Sequence, residues 1–221
     1  MTEEQATVEP GAHTYSTRKV AMERTLLESM RVPTAILRPC AIHGPFSAHP
    51  REWWFVKRLI DGRKAIPLAF RGRSKFQTSA PANTAELVSA ITIKSAEGIY
   101  NIPDPDAPNV YEIGQAILSA CANDAELIPV DTGEKGPAIG VTPWSIPKPF
   151  TISDSRARGL GYNPVGDYRM TVAASCTWLS SQPSERWKSL FPQLAAYPHD
   201  LFDYTSEDRY FAEPTSRKHG S

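Results

Sequence analysis

A tyrosine and a lysine four residues apart, Tyr15 and Lys19, are the residues whose types and spacing first suggest chemistry, and no other tyrosine in the chain has a lysine at this spacing. On a helix, positions i and i+4 lie on one face about one turn apart. An ammonium beside a phenol stabilises the phenolate and lowers the pKa of a tyrosine from about 10 towards the range of a general acid or base. The pair therefore predicts proton transfer or, as the plainer alternative, two side chains on a solvated helix face.

The surrounding sequence predicts the elements that must position this pair. Residues 15–32 contain neither proline nor glycine, and their apolar residues recur at helical spacing. We therefore expect a helix from Thr14, its capping residue, to about Met30. Residues 34–39 (TAILRP) predict a short buried strand, and residues 40–45 predict a loop. A helix followed closely by a strand is half of an α/β crossover unit.

The rest of the chain continues this alternation of helices and strands. Strands are expected at 65–68, 98–102 and 126–130, with an extended stretch at 76–78. Helices are expected at 51–61, 84–95, 110–122 and 168–180, and a short helix is expected to begin at 153 and end at Gly159 or Gly161. Residues 131–150 are rich in proline and glycine and predict a long loop. The C-terminal tip, 215–221, is expected to be disordered.

Composition excludes several classes of protein. The 221 residues suffice for one large domain or two small ones, and the formal net charge is zero, so neither a nucleic-acid partner nor an anionic membrane is expected. No apolar run approaches 18 residues, and the polar N-terminus is unlike a signal peptide. Three widely spaced cysteines indicate free thiols in a reducing compartment, so we expect a cytoplasmic protein.

Four segments, in order, carry a resemblance to a known family. They are YSTRKVAMERTLLE at 15–28, AILRPCAIHGP at 35–45, GIYNIPDPDAPNVYEI at 98–113 and ISDSRARGLGYNPV at 152–165. In this order they resemble the extended short-chain dehydrogenase/reductases, the group of NAD-dependent epimerases and dehydratases. The first is similar to the family's catalytic helix and the second to its next sheet strand and nicotinamide loop. The third is similar to its substrate-domain strand, turn and helix, and the fourth to its C-terminal helix.

The resemblance implies an α/β fold: the C-terminal part of a Rossmann-type doubly wound domain, with the catalytic helix and one or two sheet strands, and a small α+β substrate-binding domain. The implied boundaries are 1–50 for the dinucleotide-domain remnant, 51–180 for the substrate domain and 181–221 for a tail. The implied cofactor is NAD or NADP. Tyr15 would be the acid or base, Lys19 would also hold the nicotinamide ribose, and backbone groups of Pro39, Cys40, Ala41 and Ile42 would line the nicotinamide.

Three further side chains are candidates for contacting a small polar substrate: His43, Trp53 and Arg73. Each has a structural alternative. His43 lies where relatives often have an aromatic residue. No third ligand is spaced to make a metal site with His43 and His49, so no metal is expected. Trp53 begins three consecutive aromatic residues that cannot all face one way, which favours core packing. Arg73 could bind a carboxylate or phosphate, or remain a solvated turn residue.

The chain also departs from the family's pattern. The glycine-rich GxxGxxG turn that receives the cofactor's pyrophosphate is absent from the sequence. Only fourteen residues precede Tyr15, and Thr7 is the sole hydroxyl among them that could replace the family's catalytic serine or threonine. Asn83 stands where many relatives have an aspartate, which disfavours a sugar-nucleotide substrate.

Two hypotheses follow from these matches and departures. In the first, the chain is the C-terminal part of an NAD(P)-dependent epimerase, dehydratase or reductase that exchanges hydride with nicotinamide and uses Tyr15 as acid or base. In the second, it is a catalytically inert remnant or an interaction module without a cofactor site. A sheet that lacks its other strands exposes an edge, so we expect self-association or pairing with a missing N-terminal half.

Overall fold

The computed structural model describes residues 1–29, 32–133 and 138–213. Its strands form three parallel two-stranded ladders. Strand β1 (Ala35–Pro39) pairs with β5 (Gly98–Ile102), β2 (Ala41–Ile42) with β4 (Thr78–Ser79), and β3 (Ala65–Leu68) with β6 (Glu126–Pro129). Parallel strands require a crossover connection, and each pair here is separated in sequence by at least one helix. The predicted α/β fold class is confirmed.

Helices supply these crossovers and the C-terminal part of the molecule. In chain order they are α1 Tyr15–Ser29, α2 Trp53–Ile60, α3 Pro81–Lys94, α4 Val110–Ala120, α5 Ser155–Gly159, α6 Tyr168–Ser180, α7 Trp187–Leu190, α8 Pro192–Ala195 and α9 Tyr204–Ala212. Local sequence explains their starts. Asn109 and Glu112 form a reciprocal capping box at α4, and the Asp167 carboxylate accepts the Met170 N–H at the start of α6.

The main core surrounds α2. Trp53, Trp54 and Phe55 have no exposed side-chain surface. Trp53 packs against Phe191, with ring centroids 5.1 Å apart, while Phe55 lies 6.3 Å from Trp144. The three aromatic side chains of α2 therefore face different neighbours, and all of them are core residues. Helices α4 and α6 pack against each other and complete this core.

The first residues of the chain lie along the outer edge of β5. The Met1 ammonium donates to the Thr151 carbonyl over 2.9 Å, and the Met1 carbonyl accepts the Ser153 N–H at 2.7 Å. A Glu3 carboxylate oxygen accepts the Asn101 N–H at 2.8 Å. The outer edge of β5 is consequently contacted by side chains from outside the sheet, because the Arg156 guanidinium also donates to the Ile99 carbonyl at 3.1 Å.

Most predicted elements are found within a few residues of their expected bounds, whereas the expected domain boundaries remain predictions. Two long-range features cross those boundaries. Residues 98–102, expected in the substrate domain, pair along their whole length with β1. The expected tail from 181 contains α7, α8 and α9, and it buries Trp187, Phe191, Leu194 and Leu201 in the main core. Met30, part of the long loop (134–137) and the tip at 215–221 lie outside the described residues.

Candidate active site

Tyr15 and Lys19 lie side by side at the start of α1. The Lys19 ammonium is 5.5 Å from the centroid of the Tyr15 ring, and 70% of Tyr15 is exposed. The helix begins here because Thr14 and Thr17 form a reciprocal cap: the Thr14 hydroxyl accepts the Thr17 N–H at 3.2 Å, and the Thr17 hydroxyl accepts the Thr14 N–H at 3.0 Å. The cap leaves the phenol at the exposed N-terminal end of the helix.

Helix α1 is held to the sheet by polar contacts. The Arg38 guanidinium, on β1, makes a two-point ion pair with the Glu23 carboxylate on α1, with Nε to Oε2 at 3.0 Å. None of the residues of α1 is buried. Leu26 and Leu27 are 49% and 37% exposed, and with Val32, Thr34 and Gly98 they line a cleft of about 510 Å³. This helix therefore has an uncovered apolar side.

The loop after β1 is fixed by β4. The Cys40 N–H donates to the Ser79 hydroxyl at 2.8 Å, and the N–H groups of Ala41 and His43 donate to the carbonyls of Gln77 and Ser79 at 3.0 and 3.2 Å. In this parallel register the peptide groups of Ile42 face away from β4, and its side chain is 49% exposed. Of the residues predicted to line nicotinamide, the exposed Pro39 and Ile42 present the most surface.

His43 is almost completely buried and bonded to a carboxylate that the sequence analysis did not select. Its Nε2 lies 2.9 Å from Oδ2 of Asp104; the two residues are 2% and 0% exposed. The other ring nitrogen, Nδ1, has no partner among the described residues. The Tyr168 ring packs against the imidazole at a tilt of 54°, with ring centroids 4.8 Å apart, and its hydroxyl donates to the buried Glu52 carboxylate at 3.1 Å. His43 thus belongs to a buried polar network.

Asp104 is the centre of that network. Its Oδ2 also accepts the Thr78 hydroxyl at 2.6 Å, and its Oδ1 accepts the Ala80 N–H at 2.7 Å and the Asn83 amide at 2.8 Å. Burial alone would raise the pKa of Asp104, but the hydrogen bond and charge of His43 and the donors of Thr78 and Ala80 lower it below its usual value. The buried carboxylate is therefore ionised, and each of its two oxygens accepts hydrogen bonds from two internal donors.

Asn83, noted as a departure from the family, connects this network to the loop before α6. Its Nδ2 donates both to Asp104 and to the Gly166 carbonyl, at 2.8 Å each, and its Oδ1 accepts the Val165 N–H at 2.8 Å. An aspartate at 83 would place a second carboxylate against Asp104. The amide and the buried aspartate are thus complementary, a pairing that only the folded structure reveals.

The other predicted substrate residues lie apart from this network. Trp53 has no exposed surface and packs in the core, so its position gives no support to a role in a substrate pocket. Arg73 is exposed and follows a tight turn in which Phe70 and Arg71 have positive φ angles of 53° and 54°. No contact within the described residues ties Arg73 to the pair on α1. The substrate roles of His43, Trp53 and Arg73 remain predictions.

The residues present fit only one end of a dinucleotide. Tyr15, Lys19 and the exposed loop residues offer groups of the types that contact nicotinamide and its ribose. No strand, glycine-rich turn and helix that could receive a pyrophosphate occur in succession within the described ranges. Those ranges also contain no cluster of three metal-ligating side chains, and none of their helices is long and apolar enough to cross a membrane.

Comparison with known proteins identifies the fold. No protein-family model and no curated protein matches the chain. Among solved structures it resembles the NAD complex of Thermus thermophilus UDP-glucose 4-epimerase (17% identity, TM-score 0.57), covering 81% of this chain and 60% of that one. It also resembles Bacillus anthracis dTDP-glucose 4,6-dehydratase with NAD (14% identity, TM-score 0.56), covering 85% of this chain and 59% of that one. A third similar structure is Bacillus cereus UDP-glucuronic acid 4-epimerase with NAD (14% identity, TM-score 0.59), with 81% of this chain and 55% of that one covered.

These likenesses establish a shared fold at low sequence identity. The chain has the α/β architecture of part of the Rossmann-type epimerases and dehydratases, and it spans 55–60% of the length of these three structures. The activities and the NAD named for these structures are properties of those proteins.

Proposed function

We propose that this chain is the C-terminal part of an NAD(P)-dependent epimerase, dehydratase or reductase that acts on a small polar substrate, with Tyr15 as its acid or base. The observation that carries the proposal is the Tyr15–Lys19 pair, exposed at a capped helix start on a fold shared with NAD-bound epimerases. The free thiols Cys40, Cys121 and Cys176 support a reducing compartment, the cytoplasm, as its location.

The chemistry assigned to this chain is proton transfer. The Tyr15 hydroxyl gives a proton to, or takes one from, the substrate oxygen at the carbon whose oxidation state changes. The Lys19 ammonium beside the ring stabilises the phenolate form in that step. Nicotinamide, when bound, supplies the hydride exchange. The loop from Pro39 to Ile42 is held by β4, so it offers a fixed wall to a planar ring.

The cofactor's phosphates need a glycine-rich turn at a helix start, and the sequence has no GxxGxxG motif to form one. We therefore expect the chain alone to bind NAD(H) and NADP(H) with negligible affinity, and calorimetric titration of the purified protein measures this directly. A dissociation constant in the low micromolar range, about −8 kcal/mol, would contradict the interpretation of a partial site. The reading frame upstream of Met1 gives an independent test, because a strand, glycine-rich turn and helix encoded there would complete the site.

The role of Tyr15 is tested in a form that carries the complete cofactor site. Tyr15→Phe removes only an exposed hydroxyl, so turnover should fall by about 10²–10⁴-fold while the melting temperature is unchanged. Tyr111→Phe, which removes a phenolic hydroxyl from α4, is the matched control. Substrates for the assay include UDP-glucose, dTDP-glucose and UDP-glucuronic acid, the sugar nucleotides named for the similar structures. Full turnover in Tyr15→Phe would reject the assignment.

A second candidate, an interaction module, is favoured by one observation on β1. Because the Gly98 N–H bonds to the Thr34 carbonyl, the peptide groups of Ala35 and Leu37 face away from β5, and they have no hydrogen-bond partner among the described residues. This open edge adjoins the uncovered apolar side of α1. Such an edge can take another strand, from a second copy or from a missing N-terminal half.

Light scattering and hydrogen exchange on the isolated chain test this second candidate. We expect self-association through the open edge of β1, and we expect the amides of α1 to exchange among the fastest because α1 buries no residue. A monodisperse monomer in which residues 14–39 exchange slowest would refute it.

A further inference from the structure

Two of the three cysteines meet between neighbouring helices. Cys121 directly follows α4 as its C-terminal cap, and Cys176 lies on α6, which packs against α4. Cys176 is 2% exposed, whereas Cys121 is partly exposed, and both pack in the main core cluster. The two side chains lie close enough for each to shift the pKa of the other. The pair therefore combines one partly exposed cysteine with one buried cysteine.

The surroundings activate the accessible thiol. The hydrogen bond from Cys176, reinforced by one from Ser180, lowers the pKa of Cys121 to about 7 despite partial burial. Ser180 lies one turn beyond Cys176 on α6, so both donors come from the same helix face. The same hydrogen bond, with burial, raises the pKa of Cys176. By contrast, burial and the charge of Asp104 raise the pKa of the third thiol, Cys40, to about 12.

We propose that Cys121 and Cys176 form a redox-active dithiol, oxidised by peroxides to a reversible disulfide between α4 and α6. The Cys121 thiolate attacks a peroxide oxygen; the S–O bond forms, the O–O bond breaks, and the departing oxygen takes up a proton as an alcohol or water. The Cys176 sulfur then attacks the Cys121 sulfenic acid, and hydroxide leaves with the Cys176 proton as water. Two thiols and one peroxide thus give one disulfide, one water and one alcohol or second water.

The disulfide would connect the redox state to the candidate site. It joins the C-terminal end of α4 to the middle of α6, and α6 begins at Tyr168, whose ring packs against His43. The bond requires the two sulfurs to close to about 2.05 Å, which would link α4 and α6 covalently. The proposal concerns this chain alone and does not depend on an intact cofactor site.

The first test compares the reactivity of the thiols in the intact protein. At pH 7 a maleimide should label Cys121 at least about 100-fold faster than Cys40, because about half of Cys121 is thiolate. After one equivalent of hydrogen peroxide, free thiols should fall from three to one, and the mass should fall by two hydrogens. Peptide mapping without reductant should show a Cys121–Cys176 crosslink, and dithiothreitol should restore all three thiols.

Variants separate the pair from the third cysteine. Cys40→Ser should retain the crosslink, while Cys121→Ser and Cys176→Ser should abolish it. Cys121→Ser changes a partly exposed position, so it keeps the test valid if the buried Cys176→Ser fails to fold. Equal labelling rates for Cys40 and Cys121, or peroxide treatment that leaves three free thiols, would overturn the proposal. Oxidation of Cys121 to sulfinic acid without a crosslink would overturn it equally.

Discussion

Replacement of Asp104 by alanine should destabilise the protein by about 4–8 kcal/mol at neutral pH. The carboxylate accepts four buried donors, from His43, Thr78, Ala80 and Asn83. The Ala80 N–H and the Asn83 amide are fixed in place, and leaving each unsatisfied costs about 1–3 kcal/mol. Loss of the bonds to His43 and Thr78 adds about 1 kcal/mol each. Asp104→Asn keeps the acceptor for Ala80 and Asn83, so we expect it to cost about 2 kcal/mol.

Urea unfolding followed by tryptophan fluorescence measures this loss, because Trp53, Trp54 and Trp144 are buried in the core. The control is Asp124→Ala, which removes an exposed carboxylate paired with the exposed Lys64 and should leave the urea midpoint unchanged. A loss below about 2 kcal/mol for Asp104→Ala, with an unchanged m-value, would refute the reasoning from unsatisfied donors.

The pH dependence gives an independent check on Asp104. Its hydrogen bonds lower its pKa in the folded state, so its ionisation stabilises the protein above the unfolded value of about 3.9. That stability is lost as pH falls through the lower folded-state pKa. The stability difference between wild type and Asp104→Asn should therefore shrink as the pH is lowered from about 5 to 2. A constant difference across this range would contradict an ionised Asp104.

Three further substitutions follow from the same structure. Asn83→Asp should be less stable than wild type, and the loss should be larger at pH 7 than at pH 4. Two carboxylates in contact raise the folded-state pKa of one of them, so stability that is present below the unfolded-state pKa is lost as the pH rises through the folded-state pKa. Equal losses at both pH values would contradict this. Glu207→Ala should cost about 3–5 kcal/mol by leaving the buried Arg58 without its partner at 2.6 Å, as measured by urea unfolding. Gly114→Ala should cost about 1–3 kcal/mol, because a Cβ would lie 2.8 Å from the Leu127 side chain; a melting temperature equal to wild type would exclude this close packing.

Local features of this chain were predictable from its sequence, whereas long-range pairings were not. The helix at 15–29 and the strand at 98–102 are encoded by spacing and composition within their own residues. The pairing of β5 with β1, and the packing of residues beyond 181 into the core, depend on residues far away in the chain. A periodic pattern cannot show which strand will be a neighbour. Domain boundaries drawn from the sequence therefore could not take such pairings into account.

The candidate site likewise contains residues that the sequence could predict and residues that it could not. Tyr15 and Lys19 were recognisable because their proximity is a property of one helix. Asp104 was missed because the sequence shows it only as an acidic residue between two prolines in a turn. Its burial and its four donors arise from β2, β4 and α3, which meet around it only in the folded chain. Trp53 was ambiguous because no sequence pattern decides which of three adjacent aromatic residues meets solvent.

The three parallel ladders also determine how the chain can fold. β3 lies in sequence between β1 and its partner β5, while its own partner, β6, comes after β5, so the spans closed by the two ladders overlap. Neither ladder can form without closing a loop of about 60 residues, and such closure slows folding. A cut anywhere between residues 65 and 98 would separate both pairs of strands at once. We therefore expect residues 35–129 to unfold as one cooperative unit, with no fragment of this range retaining the native ladders by itself.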